Sequence, residues 1–260
     1  MVKPRIYKTE AIVLKKFNIG EADSIVTLFT PNLGKMRVVV KGVRRPKSRL
    51  GGHLDLLTQS SLLLAHGQNL DIITQGQTIE SFNNVKTDLQ CIGCAIYMSD
   101  LVDQFIVEGS ENYPVYRLLC EGLNVISEVR NKELFLRYFE LRLLDYLGYK
   151  PELRYCTSCR VPLAQTRNFF SINNGGVVCP ECAESLQSLL PMSVDLLKVL
   201  RFVSDNEYGV INRLRINDNL ANELEALIGS YIRYHLERDI KSAAFIDHIK
   251  RLDSGKRIAK

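Results

Sequence analysis

Four cysteines in the middle of the chain are spaced as metal ligands are. Cys156 and Cys159 form one C-x-x-C pair, Cys179 and Cys182 form a second, and nineteen residues separate the pairs. Each pair can present two thiolates on one side of a turn, and the stretch between them can form a hairpin turning at 173–176. Four thiolates close a tetrahedron and leave no position open for a substrate. The spacing therefore predicts one structural Zn²⁺ per chain, held by Cys156, Cys159, Cys179 and Cys182.

Two other interpretations of these cysteines stay open, a redox dithiol and four thiols with no joint role. The other three cysteines, Cys91, Cys94 and Cys120, lie in apolar helical stretches, which favours packing in the core. The odd total of seven argues against a disulfide framework, and the paired pattern suits a reducing compartment.

A second candidate site is a run of positive side chains in KMRVVVKGVRRPKSRLGG (35–52), which contains no acidic residue. Its first half alternates as a strand does, and its second half, rich in Gly, Pro and Ser, is typical of a loop. Arginine binds phosphate as a fork, and a flexible loop can follow a phosphate chain, so the run predicts polyanion binding. The alternative is an edge strand protected from pairing by its charges. The candidate contacts are Lys35, Arg37, Lys41, Arg44, Arg45, Lys47 and Arg49.

The positive charge of the chain is concentrated at the N-terminal end. Residues 1–80 contain twelve Lys and Arg against six Asp and Glu, whereas the remaining residues contain 22 against 23. Charge localised in this way indicates an anionic partner for the N-terminal segment.

Other constellations give no positive reason to predict an enzyme. Glu21 and Asp23 are spaced to shape a turn or to pair with nearby cations, and the sequence contains no phosphate-binding loop, dinucleotide fingerprint or nucleophile elbow. Four histidines stand apart from cysteines and carboxylates and are expected at the surface or in packing: His53, His66, His235 and His248.

The elements that must position these residues change character along the chain. Five short strand-like segments precede residue 81, separated by turn residues, which predicts a small closed barrel with an OB-fold as the leading candidate. The segments are 9–17, 24–30, 35–43, 54–65 and 70–80. Helical periodicity follows, with stretches at 113–129, 132–148 and 219–240, a stop at Gly148 and an N-cap at Ser193.

The order of elements predicts an α+β multidomain protein, in which the barrel precedes a helical domain interrupted by the cysteine insertion. The expected boundaries are 1–81 for the barrel, 82–150 and 186–260 for the helical domain, and 151–185 for the insertion. No apolar run reaches the roughly 18 residues of a membrane span, and the N-terminus has no signal-peptide core, so we expect a cytoplasmic protein. The final residues KRLDSGKRIAK (250–260) are either an auxiliary tail for the same anionic partner or a solvated end.

The chain resembles a known family in several motifs that occur in the right order. The stretch AIVLKKFNIGEADSIVTLFTPNLGKMRVVVKGVRRPKSRLGGHLDLLT is similar to the N-terminal domain of the bacterial RecO recombination mediators. LLDYLGYKPELRYCTSC and FSINNGGVVCPEC resemble the middle of the same family. The resemblance covers nearly the whole length and is weakest over 190–260.

The resemblance implies an N-terminal OB-fold, a helical domain with a zinc-binding insertion, and no catalysis of bond chemistry. It implies binding to single- and double-stranded DNA through the seven cations named above, and annealing of complementary strands without a small-molecule substrate. It further implies action with RecR to load RecA onto DNA coated by single-stranded DNA-binding protein (SSB) during gap repair. Contact with the SSB C-terminal tail is expected in the helical domain, and the protein is expected at the nucleoid during repair. Without the resemblance, the residues also allow two other functions: a zinc-ribbon module that binds proteins, and a thiol oxidoreductase that uses one C-x-x-C pair.

Overall fold

The computed structural model describes residues 5–240 and 242–246. Contacts group the described residues up to Ser127, together with 242–246, into one compact unit, and Glu128–Ile240 into a second. We call them the barrel unit and the helical unit.

Alternating apolar residues form five strands at the start of the barrel unit, as the sequence predicts. They are β1 (Ile6–Ile19), β2 (Asp23–Thr30), β3 (Gly34–Val40), β4 (Gln59–Ala65) and β5 (Asp71–Glu80). The strands close a barrel in the order β1-β2-β3-β5-β4, with β4 pairing back onto β1. All neighbours are antiparallel except β3 and β5, which run parallel at Val38–Asp71 and Val39–Ile72. This is the OB-fold expected from the strand count.

The two faces of the barrel wall have different partners. Side chains pointing inward, such as Val13, Val26 and Val38, are fully buried in the barrel core. The opposite face is also buried near the β2–β3 turn, where Ile12 and Phe29 are paired in register. Helices cover this part of the outer face, so apolar residues occur there on both sides of the wall.

Three helices follow the strands of the barrel unit along the chain, α1 (Asn83–Lys86), α2 (Leu89–Phe105) and α3 (Tyr113–Val125), and residues 242–246 are also helical. The Asp88 side chain caps α2 by accepting from the Cys91 amide at 2.7 Å. Cys91 and Cys94 are 2% and 5% exposed, which confirms their predicted place in the core.

The segment 54–65, predicted as one strand, is divided in the structure. Gly51–Leu54 forms a 3₁₀ turn and β4 starts only at Gln59. Leu54 is fully buried in the barrel core, and Ser60 Oγ donates to the His53 carbonyl oxygen at 2.6 Å. The apolar residues before β4 therefore fill the barrel from a turn, which explains why their pattern resembles a strand.

Gly34, at the start of β3, allows the barrel wall to approach the segment that follows α2. Its φ is +68°, and a Cβ would collide with the backbone of Ser110. We expect Gly34→Ala to lower the free energy of unfolding by about 2–4 kcal/mol, because positive φ and the collision both penalise a side chain. Urea unfolding followed by circular dichroism measures the change. Gly20→Ala is the control, since Gly20 has φ +52° but no atom within 4 Å of the added Cβ; equal losses would contradict the prediction.

The helical unit contains five helices and three short strands. They are α4 (Lys132–Tyr146), β6 (Asn168–Ser171), β7 (Gly176–Val178), α5 (Pro180–Ala183), β8 (Leu189–Met192), α6 (Val194–Asp205), α7 (Tyr208–Ile211) and α8 (Asp218–Leu236). Helices α4, α6 and α8 pack together around buried residues such as Phe139, Leu200 and Ile228. Ser193 Oγ accepts from the Leu196 amide at 3.1 Å, which confirms the predicted N-cap.

Strands β6 and β7 of the cysteine insertion (151–185) form a three-stranded sheet with β8, in the order β7-β6-β8. The β6–β7 hairpin turns between Ser171 and Gly176, as predicted. Strand β8 was not predicted, because it is short and contains Pro191, a residue that sheets accept at their edges.

Candidate nucleic-acid interface and metal centre

Two turns of the helical unit carry the four cysteines of the insertion. Cys156 and Cys159 lie in the turn that precedes the sheet, whereas Cys179 follows β7 and Cys182 lies in α5. The hydrogen bond from Thr157 N to Val177 O, at 2.9 Å, ties the first turn to β7. The hairpin therefore brings the second pair of cysteines against the first.

The four sulfur atoms are arranged as ligands of one metal ion. All four Sγ atoms lie within 4.8 Å of one another, and Cys159 Sγ is 3.8 Å from Cys179 Sγ. A tetrahedral ion with metal–sulfur bonds of about 2.3 Å would separate its ligands by about 3.8 Å. A disulfide, by contrast, requires about 2.05 Å between sulfurs. The cysteine cluster thus fits a metal ion, and its four ligands leave no open coordination position.

The electrostatics of the cluster also suit a cation. The pKa of Cys156 is lowered to about 6: burial opposes this, but backbone amides of Cys159, Cys179 and Ser158 donate to its sulfur. The pKa of Cys182 is raised to about 12, because its thiol shares hydrogen bonds with Cys179 and Cys159. The fold therefore stabilises one thiolate, and a bound cation would favour ionisation of the other thiols.

The structure divides the seven candidate DNA contacts into three that form salt bridges and four that form none within the described residues. Lys35 is one of the three: its Nζ lies 3.2 Å from Asp103 Oδ1, and its side chain is 17% exposed. It also donates to the Asp103 carbonyl oxygen. Burial tends to raise the pKa of the Asp103 carboxyl, but Lys15 and Lys35 hold it below its usual range. The charge of Lys35 is therefore balanced within the barrel unit.

Arg37 and Lys41 are also paired, but at exposed positions. Arg37 Nε lies 3.3 Å from Glu108 Oε2, and Lys41 Nζ lies 3.0 Å from Asp23 Oδ2. Such exposed pairs contribute little to stability, so a phosphate could replace either carboxylate at small cost.

The other four lie in the turn after β3, which we call the basic turn (residues 41–49). Within the described part of the chain, its four remaining cations form no salt bridge, and all are exposed. The backbone beneath them is nevertheless held: the Gly42 amide donates to Asp23 Oδ1 at 2.8 Å, and Val43 is buried in the barrel core. The basic turn thus presents four charges from an anchored backbone: Arg44, Arg45, Lys47 and Arg49.

Asp23 shapes this turn, as the sequence suggested for the Glu21–Asp23 pair. The pKa of the Asp23 carboxyl is lowered by the hydrogen bond from the Gly42 amide and by Lys41. The Arg44 amide donates to the Ala22 carbonyl oxygen at 3.0 Å. Arg44 Nη1 donates to the Gly20 carbonyl oxygen at 3.1 Å. The β1–β2 hairpin and the basic turn are therefore joined at one end of the barrel.

One histidine departs from the expectation that all four stand apart from carboxylates. His66 Nδ1 lies 3.2 Å from Asp71 Oδ1, and Tyr7 Oη donates to Asp71 Oδ2 at 2.5 Å. Burial and the neighbouring Asp71 raise the pKa of Tyr7. The contact closes the β4–β5 turn against β1; the spacing of five residues between His66 and Asp71 was its only sequence signal.

Two of the other histidines, His53 and His235, fit the expectation of a surface or packing role. His53 Nδ1 is 2.8 Å from Thr78 Oγ1, and His235 stacks on Tyr149 with ring centroids 4.3 Å apart. His248 and the basic stretch 250–260 lie outside the described residues. Among the described helices, none combines the length and the apolarity needed to cross a membrane.

Comparison with known proteins gives one consistent family. A model named Recombination protein O N terminal matches residues 2–82, and one named Recombination protein O C terminal matches residues 86–244. The chain is 41% identical over 251 residues to the DNA repair protein RecO of Dehalococcoides mccartyi strain 195, covering 96% of this chain and 99% of the relative. It is 40% identical over 251 residues to the RecO protein of Roseiflexus sp. strain RS-1, with 96% and 88% covered. The RecO protein of Thermoanaerobacter sp. strain X514 is 31% identical over 249 residues, with 95% and 100% covered.

Proposed function

This chain belongs to the RecO family of DNA repair proteins, and we propose that it is a non-enzymatic recombination mediator. In this role it binds single- and double-stranded DNA, anneals complementary strands and, with RecR, promotes loading of RecA onto SSB-coated single strands in gap repair. The observation that carries the proposal is the basic turn, in which four exposed cations without salt bridges among the described residues project from an anchored backbone.

The proposed mechanism is electrostatic. Two complementary strands repel each other through their phosphates, and cations held on a protein surface reduce that repulsion while both strands are bound. Because the basic turn is anchored through Gly42 and Val43, its charges are presented with little loss of backbone freedom on binding. No nucleotide is consumed, since no bond is broken.

The contribution of each cation is proposed from its surroundings. Arg44, Arg45, Lys47 and Arg49 form the primary phosphate contacts. Arg37 and Lys41 join them when DNA displaces Glu108 and Asp23. Lys35, held by Asp103, mainly supports the barrel wall.

We propose zinc as the metal of the cysteine cluster, because four thiolates in a closed tetrahedral set are typical of structural zinc sites. Its role is to hold the insertion, whose few buried residues include Phe170, Val177 and Val178. The ion would supply folding free energy and take no part in DNA chemistry.

Our proposals for the protein partners and the cellular location rest on family membership. We propose that RecR and the SSB C-terminal tail bind this chain, the tail through the helical domain. We also propose that the protein acts at the nucleoid in the cytoplasm, where its DNA partner is found. The functional division proposed is DNA binding by 1–81, a zinc-held insertion at 151–185, and helical parts at 82–150 and 186–260.

The proposal is tested by the salt dependence of DNA binding. If Arg44, Arg45, Lys47 and Arg49 of the basic turn each contact a phosphate, the slope of log K against log salt is about −3.6 for duplex and about −2.8 for single strands. Fluorescence anisotropy of labelled oligonucleotides over a series of salt concentrations measures both slopes. A DNA affinity that does not change with salt would reject the electrostatic mechanism.

A further inference from the structure

An apolar row crosses the outer face of the barrel next to the basic turn. Phe17 on β1 pairs in register with Ile25 on β2, and Ile25 pairs with Val39 on β3. Residues directly opposite each other on neighbouring strands point to the same face of a sheet. The neighbouring row, in which Val26 pairs with Val38, points into the barrel core. Phe17, Ile25 and Val39 therefore lie together on the outside of the wall, and we call them the open row.

In the described part of the chain, the open row is the exposed end of an outer face that helices bury near the β2–β3 turn. Near the β2–β3 turn, Phe29 is fully buried and meets Tyr116 of α3 edge to face, with ring centroids 5.8 Å apart. Towards the β1–β2 turn this cover ends, so that 59% of Phe17 and 42% of Ile19 are exposed. More than half of Phe17 therefore stays accessible to a ligand at the surface of the barrel unit.

The basic turn adjoins the open row on two sides. Along β3, Val39 precedes Lys41, the first residue of the basic turn, by two positions. Along β1, Phe17 precedes Gly20 by three positions, and the Gly20 carbonyl oxygen accepts from Arg44. At about 3.3 Å per strand residue, Phe17 lies roughly 10 Å along the chain from that contact. A few nucleotides of a bound strand would span both features.

We propose that Phe17, supported by Ile25 and Val39, stacks on a base of single-stranded DNA whose phosphates contact the basic turn. The inference rests on the proposed function, because it assumes that the basic turn holds nucleic acid. Charge complementarity selects this occupant: the cations beside the row attract a polyanion, and bases of any sequence stack on an aromatic ring. Bases of a duplex are already stacked on each other, so the ring serves single strands only.

Among the aromatic residues of the barrel unit near the basic turn, Phe17 is suited to this role by its exposure. Phe29 and Phe82 are 0% and 4% exposed. Tyr7 is half-buried and donates to Asp71. Of these four rings, that of Phe17 has the largest exposed fraction and is the one most accessible to a ligand.

The test uses the absence of tryptophan from the sequence. Phe17→Trp gives the full-length chain a single tryptophan, and stacking of an oligothymidine on it is expected to quench its emission. Ile6→Trp is the matched control, since Ile6 is 49% exposed at the opposite end of β1. Quenching is expected for Phe17→Trp with single strands and absent for Ile6→Trp. Equal quenching of both variants, or of neither, would overturn the proposal.

Truncation measures the energetic contribution of the ring. Phe17→Ala is expected to weaken single-strand binding by about fivefold or more, as loss of one stacked base does. Duplex binding and thermal unfolding of Phe17→Ala should stay at wild-type values. The control, Ile6→Ala, should bind both single strands and duplex as the wild type does.

The outcomes separate this inference from the proposed function. A wild-type protein that binds neither form of DNA would reject both. If wild-type binding depends on salt but Phe17→Ala has unchanged single-strand affinity, stacking is rejected and the proposed function is not. If Phe17→Ala reduced binding of a partner protein but not of DNA, the open row would be a protein interface and stacking would likewise be rejected.

Discussion

Reversal of charge at Arg44, Arg45 and Lys47 to glutamate is expected to lower DNA affinity by roughly 10³-fold at low salt. These side chains are exposed and form no salt bridges within the described residues, so each is available to a phosphate. The salt slope should become less steep by about 1 for each contact removed. Annealing of SSB-coated complementary strands without ATP is the functional measurement, and it should fall with the affinity.

The matched control reverses three exposed arginines of the helical unit, Arg167, Arg213 and Arg215, to glutamate. This variant carries the same change of net charge but leaves the basic turn intact. We expect its DNA affinity to fall much less, since long-range charge effects are screened at moderate salt. Equal losses in the two variants would mean that net charge, and not the basic turn, governs binding. Undiminished annealing by the first variant would reject the basic turn as the working surface.

Loss of the metal ligands is expected to unfold the cysteine insertion while leaving the barrel intact. Structural zinc sites contribute an apparent binding free energy of about 10–16 kcal/mol, which exceeds what a segment this small could replace by packing. In Cys156→Ser we expect zinc content to fall from one ion per chain to none, as measured by native mass spectrometry. Limited proteolysis should then cut within residues 152–192, as it should in wild type treated with a strong chelator.

Contacts inside the helical unit explain why the effect should spread beyond the ligands. Phe170 of β6 meets Tyr231 of α8 edge to face at 5.4 Å, and Arg201 Nε of α6 donates to the Leu153 carbonyl oxygen at 2.7 Å. If the insertion unfolds, both contacts are lost and apolar surface on α8 is uncovered.

Cys120→Ser is the control for thiol removal, because Cys120 is half-buried and lies outside the cysteine cluster. It should retain one zinc per chain and the wild-type proteolysis pattern. Duplex binding by Cys156→Ser should remain close to wild type, because the basic turn belongs to the barrel unit. Full zinc content in Cys156→Ser, or proteolysis indistinguishable from wild type, would contradict the metal assignment.

Local signals in the sequence were sufficient for most of the long elements and for the cysteine cluster. The N-cap at Ser193, the β6–β7 hairpin and the two C-x-x-C turns each depend on residues within a few positions of one another. Strand segments with a buried inward face were also evident, because their alternation has a period of two. The 3₁₀ turn at Leu54 was mistaken for strand, since a buried residue in a turn contributes the same apolar signal.

By itself, then, the sequence determined the OB-type barrel, the helical segments, the four clustered thiols and the excess of positive charge before residue 80. Only the tertiary structure decided which positive charges of the described residues form salt bridges and which are exposed without one. Asp103 and Glu108, the partners of Lys35 and Arg37, lie 68 and 71 residues away along the chain. It also decided that Phe17 is exposed while Phe29 is buried, although both point outward from the barrel. Helix packing covers one end of that face and not the other, and no short-range pattern encodes where distant segments meet.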